Sequence, residues 1–211
     1  VDRVDTFEDD ENYYYRIIDY KTGEKKFRLD DVLDGLNLQM LLYLLAIKEN
    51  KNALTNKKIV PSALLYYPAL LKESMASRSL KPSEKNATIL EKLKMNGIVN
   101  KDKKVLDLLG SDDLGDYVAV TTRGKLNEEK LFGMDNLELL FDNIKETLKR
   151  IGDSIISGDI KVNPLGERID ACAYCKFNSI CKFDSKIDKK RKPLNYKNSE
   201  VFKMLEGDID A

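Results

Sequence analysis

At 211 residues the chain is long enough to bury a sizeable core, and 42% hydrophobic with 34% charged residues fits a soluble globular domain. Lysine plus arginine and aspartate plus glutamate are equal at 36 each, which excludes a protein that holds nucleic acid mainly by bulk positive field but leaves room for a local basic groove. Histidine is absent, so Ser-His-Asp and Cys-His catalysis and histidine zinc sites are excluded within the chain, and acid–base or metal chemistry falls to carboxylates, lysines and cysteines.

Val1 to Asp5 alternates apolar and charged residues, with no initiator methionine and no leader pattern, so the chain is expected to begin inside a strand and to be a piece of a longer protein. Tyr13 to Tyr20 is rich in aromatic and β-branched types, and the acidic stretch Glu8 to Asn12 before it predicts a solvated turn, hence a β-hairpin. Residues 32–48 are dense in leucine and predict a mostly buried helix interrupted near Gly35. Its apolar run, Met40 to Ile47, is far short of a membrane span. Lys58 to Tyr67 reads as a strand in which Pro61 marks an edge or a bulge. The pattern over 83–95 predicts a helix capped by Gly97, and 98–108 and 116–121 read as short strands around a loop at 110–115. Asn136 to Ile156 is the longest amphipathic stretch, with Leu137, Leu140, Ile144, Leu148, Ile151 and Ile155 at helical spacing. Pro164 and Gly166 close that unit, a cysteine cluster follows, and a basic run at 189–192 leads into a short amphipathic tail with an Asp-rich end.

The hairpin carries the first candidate chemistry. Strand alternation puts Tyr13, Tyr15, Ile17, Asp19 and Lys21 on one face. A turn centred between Asp10 and Glu11 sets Asp2 opposite Asp19, and Asp5 opposite Arg16 on the other face. The Asp5–Arg16 pair is accounted for as a structural cross-strand ion pair. Two carboxylates about 5 Å apart repel unless a cation lies between them, and Mg²⁺ or Mn²⁺ is the hard ion that carboxylates and water hold. Lys21 adds a positive donor beside that pair. An Asp-x-Lys on a strand is also what any charged, solvated sheet face carries, and that reading stands beside the metal site.

Gln39 sits in an almost wholly apolar run, so it either finds hydrogen-bond partners in the core or faces a cleft; Tyr43, four residues on, shares its helical face. A core glutamine beside a core tyrosine is the simpler reading of the spacing. Cys172, Cys175 and Cys181 form C-x2-C-x5-C, a thiolate spacing suited to zinc or an iron–sulfur cluster, although three inert core cysteines are the alternative. An odd number of closely spaced cysteines is no disulfide framework, and the chain is expected to be intracellular and cytoplasmic.

Together these features resemble the PD-(D/E)xK nucleases of the RecB type, and more closely the C-terminal nuclease domains of AddB proteins in bacterial AddAB helicase–nucleases. Val1-Asp2-Arg3-Val4-Asp5 resembles the end of that family's G-x-[IV]-D-R-[IV]-D strand, and Ile17-Ile18-Asp19-Tyr20-Lys21-Thr22-Gly23 its D-Y-K-[ST]-G strand. Leu38-Gln39 through Tyr43 resembles its Q-x3-Y helix motif, and the cysteine spacing with Phe177, Ile180 and Phe183 its closing iron–sulfur segment. The resemblance covers nearly the whole chain, least specifically over about 70–160. It places one more cluster cysteine and a further acidic or histidine motif upstream of residue 1.

The resemblance implies an α/β, restriction-endonuclease-like mixed sheet flanked by helices, with a nuclease core over 1–165, a cysteine-cluster segment over 166–184 and a tail over 185–211. It implies Mg²⁺ (or Mn²⁺) held by Asp2, Asp19 and the Tyr20 backbone carbonyl, Lys21 acting on the water or the phosphate, and Gln39 with Tyr43 positioning DNA. A 4Fe-4S cluster on Cys172, Cys175 and Cys181 would be structural. The implied activity is a DNA exonuclease acting on single strands from an unwound duplex during double-strand-break repair, alongside an AddA-type helicase–nuclease subunit and without a membrane. The rivals are a non-catalytic DNA-binding or scaffolding module of the same fold and a zinc-stabilised interaction domain.

Overall fold

A computed structural model describes residues 1–23, 25–69, 89–110, 118, 121, 122, 125–167 and 170–207. The expected hairpin is β1 (Arg3–Glu8) and β2 (Asn12–Lys21). Their antiparallel register runs from Arg3 opposite Ile18 to Glu8 opposite Tyr13, so Asp5 faces Arg16 as alternation predicts. Asp9 closes the turn: its Oδ1 accepts from the backbone N–H groups of Glu11 (2.9 Å) and Asn12 (2.7 Å). A hydrogen bond from Lys104, then those backbone donors, hold its carboxyl far below the usual aspartate range.

The predicted leucine-rich helix is two helices, α1 (Leu29–Leu33) and α2 (Leu38–Glu49). The break is forced at Gly35 (φ 80°) and Asn37 (φ 53°), both left-handed, which a continuing helix does not tolerate. Strand β3 (Lys58–Pro68) runs parallel to β2 and slips register between Tyr15–Pro61 and Arg16–Ala63. Pro61 therefore marks a bulge; the edge reading is corrected, because β3 lies in the middle of the sheet.

Strand β4 (Asn96–Asn100) pairs antiparallel with β3. Gly97 is inside it, not at a helix end: a Cβ there would lie 1.9 Å from the Leu64 carbonyl oxygen, so close backbone approach selects glycine. Of the predicted 83–95 helix, 83–88 fall outside the described residues and 89–93 are helical. The strand expected over 98–108 stops at Asn100; Asp102 then caps α3 (Lys103–Leu108), its Oδ1 accepting from the Lys104 N–H at 2.9 Å. Most of the 110–115 loop and the 116–121 strand also lie outside the described residues, except that Val118 bridges to Met95. Two short strands, β5 (Thr121–Thr122) and β6 (Lys125–Leu126), pair with each other.

Strand β7 (Leu131–Phe132) completes a mixed five-stranded sheet of order β1-β2-β3-β4-β7. It leads into α4 (Met134–Ile156), the predicted amphipathic helix. Its stripe is buried at Leu137, Leu140, Phe141 and Ile144, but Ile155 is 73% exposed. A short α5 (Asn178–Cys181) follows, and α6 (Asn198–Glu206) ends the described chain. One face of the sheet, with Tyr15, Ile17, Leu64, Tyr66 and Ile98, packs against α1, α2, α4 and α6. The other, with Ile18, Ala63, Leu65, Val99 and Leu131, packs against Val118 and against Leu106 and Leu109 at α3. Among the described residues no helix is long and apolar enough to cross a membrane.

Candidate active site

The C-terminal end of β2 brings the predicted acids together. Asp19 shares the face of Ile17 and Tyr66 and is 5% exposed. Its Oδ2 is ion-paired with the Lys21 ammonium. Asp2, one residue before β1, is exposed, and its Oδ2 accepts the Tyr20 backbone N–H at 2.8 Å. The side chain of Asp2 thus reaches the peptide that joins Asp19 to Tyr20. Among the described residues no three His, Cys, Asp or Glu side chains gather, so this site offers two carboxylates. A hard divalent ion suits a pair of carboxylates of this kind, with the buried Asp19 as its protein anchor and backbone or water oxygens as further donors.

Two residues that the sequence did not single out border the site. Tyr66 pairs with Asp19 in the parallel register, and its ring centroid is 5.7 Å from the Lys21 Nζ. Burial first, then the charges of Asp19 and Asp31, push its hydroxyl up to about 12. Asp31 is buried on α1 and accepts from Asn37 Nδ2 at 2.7 Å. The Asp30-Asp31 doublet opening a leucine-rich segment was a visible signal, since buried acids need a reason; Tyr66 had none, because a parallel register depends on the crossover.

Gln39 lies exposed on the first turn of α2, and its Nε2 donates to the Tyr43 hydroxyl at 2.9 Å. The core-glutamine alternative is therefore corrected for Gln39, which is exposed, while Tyr43 is half-buried and packs against the main core. Helix α2 itself is fixed to the sheet by the Tyr15 hydroxyl, which donates to the Leu44 carbonyl at 2.9 Å. On the face opposite Asp19, Asp5 accepts from Arg3 and Arg16 at 2.6 and 2.8 Å. Burial acts upward on that carboxyl, but the two guanidiniums outweigh it and lower its pKa.

Cys172 is half-buried, Cys175 and Cys181 are exposed, and all three are free thiols. They do not gather as a ligand group, so the donors as placed do not fit a cluster. The inert-core alternative is also corrected, since Tyr174, Phe177 and Ile180 around them are exposed. What orders the segment is local: Cys172 N–H donates to Asp170 Oδ1 at 3.0 Å, and Lys190 Nζ donates to the same oxygen at 2.8 Å.

Comparison with known proteins agrees with this geometry. The chain is 32% identical over 212 residues to an ATP-dependent helicase/deoxyribonuclease subunit of Clostridium novyi (strain NT), an alignment covering 97% of this chain and 19% of that protein. It is 34% identical over 222 residues to the protein of the same name in Clostridioides difficile (strain 630), covering 100% of this chain and 19% of that one. The Thermoanaerobacter sp. (strain X514) protein of that name is 30% identical over 220 residues, again across 100% and 19%. The chain thus spans about a fifth of the length of these relatives. A family model described as the PD-(D/E)XK nuclease superfamily matches residues 1–182, which hold every element of the mixed sheet and both acids of the site. With a restriction-endonuclease-like sheet, an Asp-x-Lys strand end and that match, the chain belongs to the PD-(D/E)XK nuclease superfamily.

Proposed function

We propose that this chain is the nuclease domain of a helicase–nuclease subunit and hydrolyses phosphodiester bonds of DNA with a divalent metal ion. The observation that carries the reading is a buried aspartate ion-paired with a lysine two residues on at a strand end, with a second aspartate bonded to the intervening peptide. Asp19 and Asp2 would hold Mg²⁺ or Mn²⁺, with the Tyr20 carbonyl as a further oxygen. A bound ion supplies an activated water and positive charge at the scissile phosphate.

The chain's own residues do the rest. Lys21 exchanges its Asp19 partner for the attacking water or a phosphate oxygen, where its ammonium offsets the negative charge of the transition state. Tyr66 stays a neutral hydroxyl beside it. Gln39 and Tyr43 offer an amide and a hydroxyl that position the strand. The substrate is single-stranded DNA, the partner an AddA-type helicase–nuclease subunit, and the setting recombinational repair in the cytoplasm; the names of the relatives support a helicase-linked deoxyribonuclease. Cys172, Cys175 and Cys181, which do not gather as placed, would serve an iron–sulfur cluster only if a further ligand from elsewhere in the polypeptide drew them together. Iron and acid-labile sulfide in the purified full polypeptide would support that assignment, and zinc alone would reject it.

The deciding experiment is Mg²⁺-dependent cleavage of single-stranded DNA by the full polypeptide that carries this chain. Lys21→Ala should lower the rate at least about 100-fold in protein that circular dichroism shows to be folded, with a lowered melt because Asp19 loses its ion-pair partner. Cleavage that survives Lys21→Ala and Asp19→Asn would overturn the assignment. DNA binding without cleavage in metal-loaded protein would leave a binding module.

A further inference from the structure

A cleft leaves the same strand end on the far side of Lys21. Lys21, Lys25, Lys26, Lys92 and Lys94 line a cavity of about 200 Å³. Among its described lining residues the one acid is Glu91, which is 67% exposed and paired with Lys94 at 2.7 Å. The other lysines line one cleft in a chain whose total charge balances to zero, so the positive charge here is local. The cluster continues inward: Lys130 Nζ donates to Asn96 Oδ1 at 3.0 Å, and Asn96 lines the cleft. Burial, then Lys26, hold Lys130 below the ordinary lysine range, a strain that an anion would relieve.

The rim of this cleft is aromatic. Tyr67 lines it and also lines a wider cavity on the opposite face of the sheet, shared with Arg3, Arg16 and Tyr20. Tyr20 and Tyr67 meet edge to face, centroids 5.6 Å apart, and are 44% and 37% exposed. Exposed tyrosine faces next to a row of ammoniums match a ligand that carries repeated phosphates and free π surfaces. A duplex hides its base faces; a single strand offers both phosphates and free base faces.

We propose that the lysine cleft and the Tyr20–Tyr67 pair form a track for single-stranded nucleic acid, in which Lys25, Lys26 and Lys92 take phosphates next to the Asp19–Lys21 centre and Tyr67 stacks a base. The direction of the track toward that centre rests on the nuclease reading; the ligand chemistry rests on the lysines and tyrosines themselves.

The test measures binding of a short fluorescein-labelled oligothymidylate by anisotropy, in EDTA, across a salt series, with the full polypeptide. Each phosphate contact on a single strand contributes about 0.7 to the slope of log affinity against log salt. The triple variant Lys25→Gln, Lys26→Gln, Lys92→Gln should therefore lose about 2 from that slope. Tyr67→Ala should weaken binding of the oligothymidylate about tenfold and leave binding of an abasic strand of equal length unchanged, while Tyr67→Phe keeps both. These side chains reach into solvent, and a circular-dichroism melt of each variant checks the fold. An unchanged slope in the triple variant, or equal losses on the abasic strand, would overturn the track. Cleavage is assayed separately. Protein that does not cut yet shows the lysine-dependent slope loses the nuclease reading and keeps the track; protein that cuts with a lysine-independent slope does the reverse.

Discussion

Gly97 is held by a carbonyl rather than by a turn. A methyl group at that position meets the Leu64 oxygen at 1.9 Å, and neither β3 nor β4 can yield without breaking its ladder. Gly97→Ala should cost about 3 kcal/mol or more in a urea melt. Gly152, on α4 with nothing within 4 Å of its Cβ position, should tolerate alanine and gain about 1 kcal/mol. Nothing in the sequence distinguishes the two glycines, because the first is specified by a neighbouring strand 33 positions away. Tyr66 carries the second residue-level prediction. Its folded pKa of about 12 lies above the value near 10 of an unfolded tyrosine. The raised value means that the stabilisation is complete below pH ~10 and lost as pH climbs toward the folded value. The stability of Tyr66→Phe should therefore fall less steeply between pH ~10 and ~12 than that of the wild type, read by denaturant midpoints.

At the scale of elements, helix α4 separates hydrophobic spacing from burial. Leu140 and Ile155 belong to one apolar stripe, yet Leu140 is 0% and Ile155 73% exposed. Leu140→Ala should cost about 2–5 kcal/mol, and Ile155→Ala less than about 0.5, by the same melt. The stripe was legible and its burial was not, since periodicity reports a face and not what covers it. The hairpin was legible in more detail. Alternation plus an acidic turn gave the register, Arg3 opposite Ile18 through Glu8 opposite Tyr13, because a hairpin closes over a few residues. The strand expected over 98–108 failed at a cap: Asn100-Lys101-Asp102 ends β4 and starts α3, and the Asp102 signal was outweighed by the β-branched residues before it.

For the whole molecule, the C-terminal segment is the part that local sequence patterns conveyed least. Asp34, just after α1, accepts from Arg191 Nη1 at 2.9 Å and from the Leu194 N–H at 2.8 Å, and its side chain is 3% exposed. Asn198 Oδ1 accepts the Leu29 N–H at 3.0 Å, and Asp30 accepts from Tyr196 N–H at 3.2 Å. These bonds, with Val201 and Phe202 in the main core, clamp α1 against the sheet. Asp34→Ala should cost about 2 kcal/mol in a denaturant melt, and Asp34→Asn should recover part of it by keeping an acceptor. A basic run followed by a short amphipathic piece reads as a solvated tail; that it closes the core follows from pairings between distant parts of the chain.

The clamp has a consequence for biosynthesis. Leu29 and Asn198 are 169 positions apart, so α1 emerges from the ribosome long before its fastening exists. At bacterial elongation rates that interval is on the order of 10–30 s, far longer than a helix or hairpin needs to form. Through it, Asp30 and Asp31 sit on a segment whose cover has not been made, with the leucines of α2 beside them. The acid-bearing hairpin is made well before the segment that secures α1 against the sheet, so the early leucine-rich helices stay without their final cover until residues 191–202 have been made.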